Sequence, residues 1–209
     1  MTTASALVPL WDRAAEWHRR LTMVQDARRF LYLTTFYIEH DEYGAGMLRA
    51  LIEAQRRGVA VHLVIDGFGQ RLGGVLMTAE ERAALRTDLE TLRQAGGDVR
   101  LYRPPGAVQR LLGGGQHVKI QVSEAGEAIF GSSNLARASF EGWNEFSVAV
   151  RGSVVRTLLE SVARLGGEVR AEDLVDIQAT GEPGDLPCDY WFCNPNETQG
   201  GFGPLGWSG

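Results

Sequence analysis

Cysteine is scarce in this chain. Cys188 and Cys193 are its only two thiols and sit close together in the carboxyl-terminal stretch. Their number and placement read as free thiols of a cytosolic protein, not as a disulfide framework or a metal site. Long apolar runs are missing too: Leu31 to Ile38 and Val59 to Ile65 are too short to span a bilayer. The chain does not open on a charged segment followed by an apolar stretch and a cleavage site, so export is not indicated. The sequon at Asn196-Glu197-Thr198 is then without consequence. Positive charge is in deficit. A formal net charge of -5 and a pI near 5.4 exclude a protein whose whole surface is built to hold a polyanion, while leaving room for a local basic groove. Lysine is nearly absent: Lys119 is the only one, and arginine carries the remaining positive charge. No His, Cys or carboxylate cluster has the spacing of metal ligands. The glycines after Asp66 follow neither a Gly-Lys-Ser/Thr nor a GxGxxG pattern, so a nucleotide cradle is not indicated either.

What is present is the material of one globular domain: 209 residues, 44% hydrophobic and 22% charged. Leu10, Trp11, Ala14, Trp17 and Leu21 recur at helical spacing, which predicts an amphipathic helix over 10–25 whose tryptophans pack against the domain. Arg29 to Ile38 is rich in aromatic and β-branched residues and reads as a buried strand. Gly46 to Arg57 reads as an amphipathic helix stopped at Gly58, and Val59 to Asp66 as the next strand. That βαβ unit implies parallel strands with a right-handed crossover. Gln70 to Met77 reads as a Gly-rich loop at the carboxyl end of a parallel strand, an edge that ligands favour. Thr78 opens a helix with Glu81 three residues on, running to about Gln94; Val99 to Tyr102 is a short strand, and Ser153 to Leu165 a helix closed by glycines. Alternating strands and helices give an α/β fold, a mixed β-sheet flanked by helices on both faces. From Asp176 onward glycine, proline and aromatic residues recur. The expected division is therefore an α/β domain over 1–175 and a linker or docking segment over 176–209, with Tyr190-Trp191-Phe192 as a further short strand.

The chemistry-bearing residues cluster between 116 and 145. The segment from Arg103 to Gln116 leaves no room for a long helix and leads directly to His117; it holds Leu111 and Leu112, and Arg103 and Arg110 lie near enough to add basic charge. From His117 to Val122 polar and apolar residues alternate, so a strand puts His117, Lys119 and Gln121 on one face and Val118, Ile120 and Val122 on the other. After an acidic turn at Glu124 to Glu127, Ala128-Ile129-Phe130 returns and ends in Gly131-Ser132-Ser133-Asn134. A third alternating run, Glu145 to Val150, places Glu145 and Ser147 opposite Phe146, Val148 and Val150. Three strands thus gather an imidazole, an ammonium, a hydroxyl, an amide and a carboxylate over one surface.

His117-x-Lys119, an acidic residue five positions after the lysine, Gly131-Ser132-x-Asn134 and the later Asn144-Glu145 resemble the HKD signature of the phospholipase D superfamily. The resemblance covers most of residues 25–165 and is to the amino-terminal half of bacterial cardiolipin synthases and related phosphatidyltransferases, which carry two copies of this half in one chain. It implies a phospholipase D-like α/β sandwich, here as a single HKD half, working through a phosphohistidine without a cofactor or metal. The family usually has Asp where this chain has Glu124, and it implies an architectural role at that position.

The residue types fit that chemistry. A phosphodiester resists attack until its equatorial oxygens are neutralised and its leaving group is protonated. Lys119, Ser132 and Asn134 are donors for the oxygens, and His117 suits the nucleophile as neutral imidazole or the acid as imidazolium. Glu145 would hydrogen-bond the far ring nitrogen and fix its tautomer, with Gly131 and Glu124 as structural members of the motif. One imidazole cannot conveniently act on both sides of phosphorus. A second half is therefore expected, from homodimerisation or from a further carboxyl-terminal portion. The expected function is phosphatidyl transfer or phosphodiester cleavage on phospholipid, in the cytoplasm with peripheral contact at the inner face of the membrane. The alternatives are a dimeric nuclease and a non-catalytic half that completes a partner.

Overall fold

The run Phe30–Thr35 is buried along its whole length, and the sheet is built outward from it. In a computed structural model, which describes residues 2–104, 106, 115–180, 184–188 and 190, two short strands come first: β1 (Thr2–Ala4) and β2 (Ala6–Leu10). Helix α1 (Arg13–Asp26) follows, and β3 is the run Phe30–Thr35. Then come α2 (Glu42–Arg56), β4 (Ala60–Asp66), α3 (Gly67–Leu76), α4 (Ala79–Gln94) and β5 (Asp98–Tyr102). The second half of the sheet is β6 (Lys119–Ser123), β7 (Glu127–Gly131) and β8 (Ser147–Arg151), with a π-helical turn at Ala138–Gly142 before β8. Helices α5 (Val154–Arg164) and α6 (Ala171–Thr180) and strand β9 (Leu186–Cys188) complete the described fold.

Seven strands lie in the order β2-β8-β7-β6-β3-β4-β5, parallel from β3 to β5 and antiparallel from β3 to β2. Strand alternation sends Leu31, Leu33, Ile65, Ile129 and Ala149 to one face, where α1, α2 and α4 cover them. Phe30, Tyr32, Val64, Ile120, Val122, Ala128, Val148 and Val150 go to the other face, under α5 and α6. This is the mixed sheet with helices on both faces that the sequence implied. The capping box at Thr78 and Glu81 is present, with Glu81 N to Thr78 Oγ1 at 3.2 Å and Thr78 N to Glu81 Oε2 at 2.7 Å.

Several expectations change. The helix expected over 10–25 begins at Arg13, capped by Asp12, because Leu10 ends β2 at the sheet edge, where Pro9 is tolerated. Trp17 packs against the core as expected, whereas Trp11 precedes the helix and is exposed, its ring against Phe146. Helix α2 starts four residues before Gly46, since Asp41 accepts from the backbone of Tyr43 and Gly44.

The largest change is at Gln70 to Met77, expected as a loop and found within and just past α3. Its glycines mark close packing. A Cβ on Gly69 would stand 2.2 Å from the Phe36 carbonyl oxygen, and one on Gly73 2.8 Å from the Tyr37 ring. Gln70 adds two bonds to the Ile38 backbone, each 2.9 Å.

The composition shift at Asp176 falls inside α6. Asp176 pairs with Arg29, Ile177 is fully buried against the sheet, and β9 pairs with β1. Tyr190 sets its ring against Phe130, while Trp191, Phe192 and Cys193 lie outside the described residues.

Candidate active site

Lys119, Gly131 and Ser147 form one row across β6, β7 and β8. A Cβ on Gly131 would come within 2.3 Å of the Phe146 carbonyl oxygen and 2.4 Å of Ser147 Oγ, so only glycine fits this row. His117 and Glu145 each stand two residues ahead of a strand, β6 and β8, and the Phe36 ring is shared by the His117 ring and the Lys119 ammonium.

His117 is exposed, and its ring meets Phe36 edge-on, centroids 4.7 Å apart. Lys119 is buried; Nζ donates to the His117 carbonyl oxygen at 3.1 Å and lies 5.4 Å from the Phe36 centroid. Lys119 is the chain's only lysine. Burial lowers its pKa from 10.5 to about 7, against the opposing charges of Glu145 and Asp66. The His117 pKa is lowered by partial enclosure of the ring and then by the Lys119 charge, with Glu145 pulling it up. The imidazole therefore favours its neutral, nucleophilic form near neutrality.

Glu145 does not bind the imidazole. Its Oε1 accepts from Ser139 Oγ at 3.0 Å, and no bond to His117 is found among the described residues, although its charge is felt at that ring. Ser139 Oγ in turn accepts from Asn134 N at 2.9 Å. The π-helical turn thus links Asn134, Ser139 and Glu145 in one chain of bonds, a use of such turns that recurs at functional sites. Asn134 is buried, and its Oδ1 has no hydrogen-bond partner among the described residues. Its segment is fixed to the stretch between β3 and α2 by a bridge between Ile38 and Leu135 and by Glu39 N to Leu135 O at 3.1 Å.

Two other motif residues serve the frame. The Ser132 hydroxyl accepts from Phe146 N at 2.9 Å and donates to Phe146 O at 3.3 Å, which joins the ends of β7 and β8. Glu124 lies at the opposite end of β6, where its carboxylate accepts from the backbone N–H groups of Arg28, Arg29 and Phe30 at the start of β3. A cleft of about 260 Å³ opens at that same end, lined in part by Arg19, Glu124, Glu127 and Arg151. Within it Arg19 and Arg151 both bind Glu127, while Glu124 is taken up by the β3 backbone.

Sequence reasoning missed Ser139 and two buried carboxylates. Asp66, at the end of β4, accepts from Gly69 N at 2.6 Å and from Gln116 N at 2.8 Å, so it caps α3 and fixes the approach to His117. Burial raises its pKa, while bonds from those amides and the Lys119 charge hold it down. Glu16 of α1, fully buried, binds Arg20 Nε at 2.9 Å and accepts from Ser133 Oγ at 3.1 Å, which clamps the turn between Ser132 and Asn134. An acid and a base four residues apart, Glu16 and Arg20, on the helix face that also buries Met23 and Val24 were the available signal for Glu16. Arg103 is exposed beside the start of α3, and Arg110 lies outside the described residues. Among the described residues no cluster of three or more His, Cys, Asp or Glu could hold a metal ion, and no helix is long and apolar enough to cross a membrane.

The fold, with an imidazole and an ammonium set before and on its central antiparallel strand, is that of the phospholipase D superfamily. Among solved structures, the phospholipase D family member Nuc from Salmonella typhimurium has a TM-score of 0.54 at 17% identity, over 78% of this chain and 95% of that one. Phosphatidylserine synthase from Haemophilus influenzae Rd KW20 has a TM-score of 0.62 at 14% identity, over 86% of this chain and 44% of that one. Residues 21–165 match the family described as cardiolipin synthase, PLD-like domain, and the chain belongs to that family. A cardiolipin synthase from Clostridium perfringens (strain SM101 / Type A) is 21% identical over 198 residues, 90% of this chain. One from Geobacillus kaustophilus (strain HTA426) is 26% identical over 144 residues, 65% of this chain and 26% of the relative. The chain spans 37% of the length of the Clostridium relative.

Proposed function

We propose that this chain is one half of a phospholipase D-type enzyme that cleaves or transfers a phosphodiester of a phospholipid through a phosphohistidine at His117. The carrying observation is the pairing of an exposed imidazole, biased toward its neutral form, with a buried ammonium that is bonded to the same residue's carbonyl oxygen and shares the Phe36 ring with it. In the first step a ring nitrogen of His117 attacks phosphorus, the bond to the leaving oxygen breaks, and that oxygen takes a proton from an acid on the far side. In the second step water or an alcohol attacks, gives up its proton to the same group, and the P–N bond breaks. Lys119 and the Asn134 amide neutralise the equatorial oxygens. An arriving phosphate raises the Lys119 pKa again, so the ammonium is restored when it is needed.

The far-side acid and base is a second imidazole. Of the three histidines besides His117, His40 binds Asp88 and His62 binds Asp98 and stacks on Tyr32, leaving both committed elsewhere, and His18 is exposed on α1. A second half, from another copy or from further chain, is the natural source, and the 37% span of the Clostridium relative supports it. Glu145, held by Ser139, acts on the imidazole through its charge. Lipid is favoured over nucleic acid by the net charge of -5 and by the lone lysine.

Mass in solution measured alongside turnover on phospholipid and on single-stranded DNA tests the reading. Lipid turnover by a species of twice the chain mass, abolished by His117→Ala, is expected. DNA cleavage alone would replace the substrate, and silence on both with unchanged cellular function of His117→Ala would make the chain a non-catalytic partner.

A further inference from the structure

Helix α3 is inverted. Its inner face is glycine, Gly69 and Gly73 pressed on Phe36 and Tyr37, while its outer face is apolar. Phe68, Arg71, Leu72, Val75 and Leu76 recur at the spacing of a single helical stripe. Leu72, Val75 and Leu76 are 49%, 79% and 69% exposed. An apolar stripe of this kind on the outside of a folded domain marks a contact surface. Its charges have one sign: α3 carries no carboxylate, Arg71 stands over the Phe68 ring at 5.8 Å, and exposed Arg103 lies beside Gly67. Glu80 and Glu81 belong to the next helix, and Glu81 is used in the capping box there.

The stripe is also next to the candidate site. Phe36 touches Gly69 on one side and the His117 ring on the other, and Asp66 both caps α3 and binds Gln116, the residue before His117. We infer that α3 is an interfacial helix that seats the domain on an anionic phospholipid surface, with Leu72, Val75 and Leu76 entering the acyl boundary and Arg71 and Arg103 meeting headgroup phosphates. This inference rests on the proposed lipid substrate. It adds the surface that presents the site to it, because a helix lying at the acyl boundary holds an adjacent imidazole at headgroup depth, where the scissile phosphorus is.

The test compares the full chain with the variant Leu72→Gln, Val75→Gln, Leu76→Gln, all exposed positions outside the catalytic group. Binding is read by flotation with vesicles of phosphatidylcholine plus phosphatidylglycerol and with phosphatidylcholine alone; turnover is read on a short-chain phospholipid kept monomeric and on the mixed vesicles. The triple variant is expected to lose binding to mixed vesicles by about tenfold or more, with turnover of the monomeric lipid unchanged and vesicle turnover falling in proportion. Arg71→Gln should remove most of the preference for phosphatidylglycerol. Wild-type vesicle binding by the triple variant overturns the inference while leaving the site intact. A changed mass in solution without any vesicle binding by the wild type overturns it in favour of a contact between copies. Vesicle binding through α3 with no turnover on any phosphodiester would retain the docking surface and remove the enzyme reading.

Discussion

The Lys119 ammonium donates to the His117 carbonyl oxygen at 3.1 Å, so the chain's only lysine is held by the backbone of the residue whose ring its charge disfavours as a cation. The two groups titrate as neighbours. His117 must lose its proton to attack, and its pKa lies below the ordinary 6.5; Lys119 must keep its proton to bind an anion, and its pKa is lowered to about 7. The pH profile of kcat/KM should therefore be a narrow bell, rising through the lowered imidazole pKa and falling as pH passes about 7. A profile still rising above pH 8, by about tenfold per unit, would contradict the assignment of Lys119 as the anion's cation.

The same coupling can be read without substrate. Lys119→Met removes a charge that lowers the imidazole pKa, and Glu145→Gln removes one that raises it. NMR titration of the His117 ring should move up in the first variant and down in the second. Movement in the same direction in both would mean that conformational change, not charge, dominates.

Lys119→Met should also stabilise the fold. A lysine whose folded pKa is depressed penalises the native state below that pKa, and the penalty is relieved as pH rises from about 7 toward 10.5. Replacing this buried cation by an apolar side chain of similar length is expected to add about 1–4 kcal/mol at neutral pH, with phosphodiester turnover lost. Urea unfolding of the two proteins at pH 6 and pH 9 checks both parts: the gain should shrink at the higher pH.

Ser139 and Ser132 should separate cleanly. Ser139→Ala cuts the link between Asn134 N and Glu145, and is expected to lower kcat by about a hundredfold through misplacement of those groups, with Ser139→Thr restoring most of it. Ser132→Ala removes bonds to the Phe146 backbone and should lower stability by about 1 kcal/mol while turnover stays within about tenfold. If Ser132→Ala proves the more damaging to kcat, its hydroxyl serves the phosphate after all.

What could be read from the sequence was local. The alternation on β6, the Thr78 and Glu81 box and the glycine ends of helices are set within a few residues, and each stands where expected. What escaped was set by distant partners. Strands β1 and β2 are short and pair with β9 and β8, far along the chain. Helix α3 looked like a loop because its glycines answer to Phe36 and Tyr37, over thirty residues upstream of Gly73. The carriers of His117 and Glu145 were visible as strands, but both residues fall just ahead of the paired segments, and the Ser139 bond to Glu145 depends on a turn with no periodic signature.

Residues 176–180 belong energetically with the α/β body, although their composition suggested a linker. Ile177 is buried beneath the sheet, and α6 is tied down by Tyr32 Oη donating to Asp173 Oδ2 at 2.6 Å, with Arg170 bound to the same carboxylate at 2.9 and 3.0 Å. Ile177→Ala should lower unfolding free energy by about 2–5 kcal/mol, the range for an aliphatic core truncation. A chain cut after Val175 should lose at least as much, because it removes Ile177 together with the last turn of the helix. Thermal melts of the full chain, Ile177→Ala and the truncation decide it: a truncated chain that melts with the full one would restore a boundary at 175.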